Sequence, residues 1–417
     1  MNISKPKGTK DIFFDEINVW QYVEENIIKV CKEFNIGEIR TPVFESTALF
    51  KRSVGDSTDI VNKEMYTFED KGFRSITLRP ELTAGVVRAY IENGMSSLPS
   101  PLKFWYRGNM YRYERMQKGR YREFSQFGVE IIGSDSNLAD IESISVAYAL
   151  FKRIGLSSHI VISLNSIGCT KCRNIFIQAL KEYIKPNLNK MCDTCKVRFE
   201  KNPMRMIDCK EKGCKDILAK APVITDYLCE DCRVDFQGVQ NMLKALDIPF
   251  VLDNTIVRGL DYYNKTVYEI TSKDLGLSVG GGGRYDGLVS ILGGVQTPAV
   301  GFAIGMDRVV ILLQQLGLDK QISKKVDLYF AIIDKDAEVI SRKITSKLRE
   351  MGYVVDIDIQ RRSFKAQLKY ADKIKARYVC IIGKNEIKNN TCIIKNMEDG
   401  KQLEVKLEID EIINRLL

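Results

Sequence analysis

Apolar residues near the start of the chain recur at the spacing of a helix. Between Glu16 and Asn35 they fall every three or four positions, at Ile17, Trp20, Val23, Ile27, Val30 and Phe34. This spacing places them on one face of an amphipathic helix. The pattern therefore predicts that a helix opens the fold.

Further along, short apolar runs alternate with polar residues in the manner of half-buried strands. They are ITLRP, FWYRGNMYRYE, REFSQFGVEIIG, HIVISLN, TVYEITS and GLSVGGG. Helical stretches separate these runs without alternating with them regularly. This arrangement predicts an α+β domain built around a mostly antiparallel sheet.

The character of the sequence changes twice in the second half of the chain. Between Asn165 and Asp253 it is helical and rich in cysteine and lysine. From Val326 onward, strand-like runs alternate with amphipathic helical segments, which is typical of an α/β domain. We therefore expect a helical insertion and a separate C-terminal α/β domain.

The composition indicates a globular protein with an anionic partner. The 417 residues carry a formal net charge of +9, which favours a nucleic acid or nucleotide ligand. The first residues lack the apolar segment of a signal peptide, and the most apolar run, PAVGFAIGMDRVVILL, is interrupted by Asp307 and Arg308. We expect a cytoplasmic protein with no membrane association.

Several common catalytic arrangements are missing from the sequence. It contains no GxxxxGK[ST] phosphate loop and no complete GxGxxG unit. Its single histidine, His159, excludes a two-histidine metal site, and its place at a predicted strand edge makes a structural role the simpler interpretation. Phosphoryl or nucleotidyl transfer stays open, because positioning and charge neutralisation suffice for it.

The stretch FWYRGNMYRYERMQKGRYREFSQFGVEIIG combines five arginines with eight aromatic residues. Alternation along NMYRYER predicts a strand that places Arg112 and Glu114 on one face, and the chain returns as a second strand. Guanidinium groups suit bidentate phosphate binding, and Phe124 offers a ring face to a base. From these residues alone, an exposed charged hairpin with ordinary aromatic packing stays an equal alternative.

Five segments together resemble one enzyme family. RTPVFESTALFKR, FWYRGNMYRYERMQKGRYREF and GFAIGMDR are similar to the three general motifs of class II aminoacyl-tRNA synthetases. RGLDYY, from Arg258 to Tyr263, and GGRYDG, from Gly282 to Gly287, resemble the two signatures of the histidyl-tRNA synthetases. The resemblance runs from KPKGTKDI into the C-terminal domain, and five motifs in this order are far more specific than any one.

The resemblance implies a fold and a domain plan. A class II antiparallel sheet flanked by helices would carry a helical insertion and end in an α/β domain. The implied catalytic core has two parts, 1–165 and 253–323. The implied insertion is 166–252, and the implied anticodon-binding domain is 324–417. The first motif pairs across a two-fold axis in this class, which implies a homodimer.

The resemblance also implies how ATP is bound. Arg112 would hold the α-phosphate, Phe124 would stack on adenine, and Arg308 would cover the other face or the γ-phosphate. Glu114 would contact the adenine edge or help to hold Mg²⁺. Motif departures are mild: Asp307 stands where glutamate is usual, and Tyr113 and Met116 stand where histidine and proline are common.

The histidine site and the catalytic arginines follow in the same way. Arg258, beside the carboxylate and the α-phosphate, and Arg112 would be the catalytic residues. Residues similar to those that bind L-histidine are Glu81, Thr83, Gln126, Glu130, Arg258, Tyr262 and Tyr263. A buried site that hydrogen-bonds both ring nitrogens rejects analogues without them by roughly 10⁴ or more, so no editing domain is needed.

The implied function is that of a ligase that activates histidine with ATP and transfers it to tRNA(His). One alternative is the non-catalytic relative that regulates a phosphoribosyltransferase, but that relative lacks the C-terminal domain and the signature around Arg258. A nucleic-acid-binding module without catalysis would not explain why Glu81, Gln126, Glu130 and Tyr263 occur together.

Eight of the eleven cysteines fall within the predicted insertion, six of them as Cys-x-x-Cys pairs with zinc-ligand spacing. They are Cys169, Cys172, Cys192, Cys195, Cys209, Cys214, Cys229 and Cys232. Two four-thiolate Zn²⁺ sites are arithmetically possible. However, the insertion of many family members lacks such cysteines, and free cysteine is an ordinary buried residue. The sequence therefore favours cysteines without zinc.

The C-terminal domain is the most basic part of the chain. Residues 324–417 contain 20 basic and 15 acidic residues, a net charge of +5. Lys365, Lys369 and Lys373 share one face of a predicted helix. A solvated helix face would look the same, but the resemblance to an anticodon-binding domain favours a surface for tRNA phosphates.

Overall fold

A computed structural model of the chain describes residues 3–55, 58–322 and 326–416. It divides into two compact units, Met1–Ile322 and Ser323–Leu417. No helix among the described residues is long and apolar enough to cross a membrane.

The strands of the first unit form one large and one small sheet. Their bounds are β1 Gly37–Glu38, β2 Phe44–Ser46, β3 Tyr66–Glu69, β4 Ser75–Leu78, β5 Leu102–Tyr111, β6 Glu123–Ile132, β7 Ile160–Ser166, β8 Val251–Leu252, β9 Asn264–Ser272, β10 Leu277–Arg284 and β11 Ala299–Gly305. Within the described residues the large sheet has the order β1-β5-β6-β11-β10-β9-β7-β8, and the small sheet has the order β2-β4-β3. Among the described residues only the edge strands β1 and β8 pair in parallel in the large sheet, so the predicted antiparallel α+β fold is confirmed.

The helices of the first unit surround this sheet or form the insertion. Their bounds are α1 Asp15–Glu33, α2 Thr47–Val54, α3 Thr83–Glu92, α4 Asn137–Arg153, α5 Thr170–Ile184, α6 Asp193–Lys201, α7 Lys212–Leu218, α8 Glu230–Ala245, α9 Leu288–Ile291 and α10 Met306–Gln315. The apolar face predicted for α1 is buried at Trp20, Val23, Ile27 and Val30, in a core shared with α4, α10 and the sheet. The helical insertion and the opening helix are thus as the sequence predicts.

The arginine-rich hairpin departs from the prediction at its tip. β5 ends at Tyr111, so the expected strand NMYRYER stops four residues early. The backbone N–H of Tyr113 donates to the carbonyl of Glu64, and that of Glu114 donates back to the carbonyl of Arg112. The N–H of Arg112 still donates across the hairpin to the carbonyl of Arg122 at 2.9 Å, but from Tyr113 onward the bonds above replace the ladder, so strand alternation does not set the direction of the Glu114 side chain.

The second unit is an α/β domain. Its elements are β12 Val326–Ile332, α11 Ala337–Glu350, β13 Val355–Ile357, α12 Phe364–Lys373, β14 Ala376–Ile382, α13 Lys384–Asn389, β15 Thr391–Asn396, β16 Gln402–Lys406 and α14 Ile409–Leu416. The sheet order is β13-β12-β14-β15-β16 in the part of this unit that the structure describes. β13, β12 and β14 are parallel, as strand–helix alternation predicts, whereas the antiparallel hairpin β15–β16 was not predicted.

Candidate active site

One cavity of about 230 Å³ lies against the large sheet. Its lining comes from the start of α3, the β5–β6 hairpin and its connection, the 258–263 loop, β10, β11 and the start of α10. Ten of the eleven residues that the sequence predicts for ATP, histidine or catalysis line it: Glu81, Thr83, Arg112, Glu114, Phe124, Gln126, Arg258, Tyr262, Tyr263 and Arg308. The eleventh, Glu130, lies behind the cavity wall.

Glu130 is a fully buried carboxyl surrounded by hydroxyl groups. The Thr83 hydroxyl donates to it at 2.7 Å and the Tyr106 hydroxyl at 3.0 Å, and the Tyr285 hydroxyl also donates to it. Burial raises the pKa of Glu130 to about 8, although these hydrogen bonds act in the opposite direction. Glu130 therefore faces the cavity through Thr83 and Tyr106, not directly.

Glu81 is held by the first turn of α3. Its carboxylate accepts the backbone N–H groups of Thr83 at 2.7 Å and Ala84 at 2.9 Å. These are donors that a helix start leaves without intrahelical partners, and the helix dipole favours negative charge there. Burial nevertheless raises the pKa of Glu81, because desolvation outweighs the two hydrogen bonds. The result is a fixed carboxyl group at one end of the cavity.

Three guanidinium groups, of Arg112, Arg120 and Arg308, lie close together in the cavity lining. Arg112 donates from Nε to the carbonyl of Pro80 at 2.8 Å, and its guanidinium lies 5.3 Å from the centre of the Phe124 ring. Glu114 lies between Arg112 and Arg120, at 3.9 and 3.3 Å. Glu114 is thus shared by two of the three arginines.

Arg308 is the third of these cations. Its Nε donates to the carbonyl of Gly119 at 3.0 Å, and its Nη1 donates to the carbonyl of Ser278, so it ties the hairpin connection to β10. Burial lowers the pKa of Arg308, and the neighbouring charge of Arg120 acts in the same direction. An arginine keeps its charge in spite of such shifts, so the cluster is ready for an anion.

Arg258 extends across the glycine-rich strand β10. A Cβ atom on Gly281 would lie 2.6 Å from Nη1 of Arg258, so only glycine allows this approach. Nη1 lies 3.7 Å from Oε2 of Glu269, and Nε is buried without a hydrogen-bond partner within the described residues. β10 also has register shifts at both ends of its four glycines, 280–283. The close approach of Arg258 and the irregular strand pairing therefore occur in the same segment.

Tyr262 and Tyr263 line the cavity together with Arg258, and the ring of Tyr285 packs against both. The centres of the Tyr262 and Tyr263 rings are 4.7 Å apart, and the Tyr285 ring lies 5.5 Å from Tyr262. Tyr285 belongs to the quoted GGRYDG run but was not predicted as a site residue, and neither was Tyr106 or Arg120. The strand partner of Tyr106 is Gly128, whose missing side chain makes room for the Tyr106 ring; pairing of this kind was not readable from the sequence.

The eight cysteines of the insertion, which are distinct from the cavity residues, gather in two groups. The first cysteine group is Cys169, Cys172, Cys229 and Cys232, and the second cysteine group is Cys192, Cys195, Cys209 and Cys214. In each group the sulfur atoms all lie within 4.8 Å of one another. The Cys-x-x-Cys pairs are visible in the sequence, but which pairs meet is not, because the members of the first group are up to 63 positions apart.

Comparisons with known proteins agree with this arrangement. A family model described as "Histidyl-tRNA synthetase" matches residues 8–309, and one described as "Anticodon binding domain" matches residues 322–417. Together the two models cover both units.

Individual relatives match over their full length. The histidine–tRNA ligase of Acetivibrio thermocellus is 51% identical over 413 residues, which is 99% of this chain and 98% of the relative. That of Clostridium perfringens is 48% identical over 415 residues, 99% of each chain. The crystal structure of apo S. aureus histidyl-tRNA synthetase superposes with a TM-score of 0.83 at 35% identity, covering 100% of both chains. The chain therefore belongs to the histidyl-tRNA synthetase family, whose members are ATP-dependent class II ligases.

Proposed function

We propose that the cavity binds ATP and L-histidine side by side and that the chain joins histidine to tRNA(His). The reaction of the family has two steps. Histidine and ATP give histidyl-adenylate and pyrophosphate, and the histidyl group then passes to the 3′ end of tRNA with release of AMP. The observation that carries the assignment is one cavity lined by guanidinium groups, at Arg112 and Arg308, and by carboxyl and tyrosine groups, at Glu81, Tyr262 and Tyr263. We infer from this lining a cationic end for the nucleotide and a carboxyl and tyrosine end for histidine.

The carboxyl and tyrosine end suits histidine. Glu81 and Gln126 line it and would accept the N–H groups of the α-amino end, with the Thr83 hydroxyl beside them. Tyr263, with Tyr262 next to it, would meet the imidazole ring, and Glu130 would act through the hydroxyl groups that donate to it. A buried site that leaves polar groups unpaired with the wrong amino acid discriminates strongly.

The cationic end suits the nucleotide. Arg112 would hold the α-phosphate, Phe124 would stack on adenine, and Arg308 would lie on the other face of the base or reach the γ-phosphate. Support comes from the presence of all three side chains in the lining of one cavity and from the contact of the Arg112 guanidinium with the Phe124 ring. Arginine forks bind phosphate oxygens bidentately, which fixes orientation as well as charge.

Mg²⁺ fits this end as a partner of the nucleotide. Glu114 offers a carboxylate, and burial followed by the charge of Glu114 raises the pKa of Glu64, which indicates a second carboxyl nearby. Mg²⁺ usually takes one or two protein carboxylates and completes its shell with phosphate oxygens and water. When bound with ATP, it would neutralise charge on the phosphates, and Glu114 is the residue we expect to hold it.

The first step needs no protein base. The histidine carboxylate is ionised at neutral pH and attacks the α-phosphorus in line as the bond to pyrophosphate breaks. Negative charge grows on the α-phosphate oxygens during this step. Arg258 and Arg112 would stabilise that charge, and fixed cations in a desolvated site are effective in this role. A terminal ribose hydroxyl of tRNA then takes the histidyl group.

A homodimer is supported by apolar side chains around the first class II motif. Val43 and Phe44, within or beside β2, and Phe68, on β3 of the same small sheet, are exposed. Adjacent exposed apolar residues on one sheet mark an interaction surface. A second copy of the chain is the partner we propose for it, because class II enzymes pair through this motif.

The second unit is proposed as the tRNA anchor. Lys365, Lys369 and Lys373 are exposed on α12 and lie at four-residue intervals. We assign 1–165 and 253–323 to the catalytic core, 166–252 to the insertion and 324–417 to anticodon binding. Since tRNA and ATP are cytoplasmic, we place the reaction in the cytoplasm.

The proposal is tested by charging tRNA with labelled amino acids. Purified chain, ATP, Mg²⁺ and bacterial tRNA should attach histidine to tRNA, and omission of ATP should abolish attachment. A non-catalytic regulator would attach nothing. Attachment of an amino acid other than histidine, or of none under these conditions, would contradict the proposal.

A further inference from the structure

The insertion contains two sets of four thiols that the aminoacylation reaction does not use. All eight cysteines are free of disulfides, and five of them are buried. The other three, Cys169, Cys192 and Cys229, are partly exposed and are the first members of the three Cys-x-x-Cys pairs. The arrangement therefore differs from that of isolated cysteines used as small core residues.

The spacing of the sulfur atoms fits a tetrahedral metal. Four thiolates at about 2.3 Å from a zinc ion lie about 3.8 Å from one another. In the first cysteine group the sulfur of Cys169 lies 3.5 Å from that of Cys172 and 3.9 Å from that of Cys229. In the second group the sulfurs of Cys192 and Cys209 are 3.8 Å apart. These separations exceed the roughly 2.0 Å of a disulfide by a wide margin.

The backbone around each group is arranged to stabilise negatively charged sulfur. Cys169, Cys192 and Cys229 are the N-cap residues of α5, α6 and α8, so each Cys-x-x-Cys pair spans a first helical turn. The backbone N–H of Cys229 donates to the sulfur of Cys172 at 3.1 Å, and that of Cys192 donates to the sulfur of Cys214 at 3.3 Å. Helix starts and N–H donors both favour thiolates.

We propose that each cysteine group binds one Zn²⁺ through four thiolates. Soft thiolate ligands in tetrahedral geometry select zinc among the common divalent ions, and a closed four-thiolate site is structural in character. The sequence favours cysteines without zinc because many family members lack such cysteines and free cysteine is an ordinary buried residue. The meeting of two Cys-x-x-Cys pairs in the first group, and of one pair with Cys209 and Cys214 in the second, is the observation that changes this interpretation.

The sites would hold together a part of the chain with little regular structure of its own. Between residues 185 and 229 the helices α6 and α7 have only 9 and 7 residues. The first group joins the start of α5 to the start of α8, and so the entry of the insertion to its return. The second group joins α6 to the segment around α7. Structural zinc contributes its binding free energy directly to folding in such sites.

The clamped insertion also supports the 258–263 loop. Arg173, next to Cys172, donates to the carbonyl of Tyr263 at 3.1 Å. Asn202 donates to Asp261 at 3.0 Å and Arg205 donates to the carbonyl of Gly259 at 2.5 Å, both from within the span of the second group. We infer that zinc positions the loop carrying Arg258, an inference that rests on the proposed function.

Elemental analysis of the full-length protein, expressed with zinc and purified without chelator under reducing conditions, tests the metal. We expect about two zinc ions per chain, with about four thiols titrated by a mercurial reagent for each zinc released. Cys172→Ser with Cys232→Ser should lower the content to about one, as should Cys209→Ser with Cys214→Ser. The matched control Cys392→Ser, a buried cysteine of the second unit, should keep both.

A second measurement keeps the test valid where a variant folds poorly. Wild-type protein reconstituted with Co²⁺ should show the intense near-ultraviolet sulfur-to-metal absorption of a tetrahedral thiolate site. Fewer than about 0.2 zinc ions per chain together with no such absorption would overturn the proposal, since one or two filled sites are required. Iron in place of zinc at the same stoichiometry would overturn the assignment of zinc.

The link to the loop has its own readout. Removing zinc with a chelator should lower histidine-dependent adenylate formation by about tenfold or more, and restoring zinc should recover it, as for other supporting contacts around a site. Adenylate formation unchanged after complete zinc loss would overturn the link. Two bound zinc ions in a protein that forms no adenylate would contradict the proposed function and leave the metal sites standing, so the two failures are distinguishable.

Discussion

Replacing Arg258 with alanine should slow adenylate formation by at least about 10²-fold. Removal of one group that stabilises transition-state charge costs about 2.7 to 4 kcal/mol, and each 1.36 kcal/mol is a factor of ten. The structure supports a value in this range. Arg258 lies against Gly281 at the cavity floor, and its ion partner Glu269 is 3.7 Å away. That contact is loose enough to leave the guanidinium available to a phosphate.

The same contact leads us to expect that the fold survives the Arg258→Ala substitution. The side chain of Glu269 is 33% exposed, so it stays solvated when Arg258 is shortened. The Arg258 side chain is 19% exposed, but its 3.7 Å contact with Glu269 is too long for a hydrogen bond, so we expect loss of the pair to lower the free energy of unfolding by about 1 kcal/mol. The midpoint of thermal unfolding should therefore change by only a few degrees. A loss of activity in this variant then reports on chemistry and not on folding.

Single-turnover formation of histidyl-adenylate, at saturating ATP and histidine, is the appropriate assay. Arg153→Ala is a matched control, because Arg153 has a side chain 33% exposed and pairs with Glu33 at 2.8 Å outside the cavity. The control should keep the wild-type rate. An Arg258→Ala rate within about threefold of wild type would refute the reasoning that this residue stabilises the transition state.

Three further predictions follow from other parts of the molecule. Glu130→Gln should make the free energy of unfolding less dependent on pH. The pKa of Glu130 in the folded state, about 8, lies above its value in the unfolded chain, so wild type loses stability as the pH rises from about 5 to 8. The variant should gain at least about 1 kcal/mol relative to wild type over that range, and a difference between the two in urea unfolding that does not change with pH would contradict this. Deletion of residues 323–417 should preserve histidine-dependent pyrophosphate exchange while tRNA charging falls steeply, and a truncated dimer that charges tRNA normally would show that the second unit is not the anchor. Light scattering at micromolar concentration should give a dimer for wild type and a smaller mass for Phe44→Asp; a monomeric wild type would end the dimer proposal.

Much of the fold was predictable because the local patterns are consistent with the tertiary structure. β6 is an example: its position in the chain and its pairing partner in the hairpin follow from the printed residues. The apolar face of α1 is another example, since most of the apolar residues that recur at helical spacing are buried in the structure. In both elements the side chains that set the pattern are those that pack against the core.

The site was less predictable wherever contacts join distant parts of the chain. The end of β5 depends on a hydrogen bond from Tyr113 to Glu64, which strand alternation cannot reveal. Glu130 is predicted only as a histidine-binding residue, and the sequence does not show that three hydroxyl groups from separate elements surround it. The roles assigned to the cavity residues stay predictions. The partners of the cysteine pairs were open for the same reason, because sequence spacing does not specify which pairs meet.

Histidine-dependent exchange of labelled pyrophosphate into ATP tests the central claim most directly, because it requires a cavity that binds both substrates and performs the first step. The chain, with ATP and Mg²⁺ but without tRNA, should catalyse exchange with L-histidine and with none of the other amino acids at the same concentration. Absence of exchange with histidine, or equal exchange with another amino acid, would contradict the account.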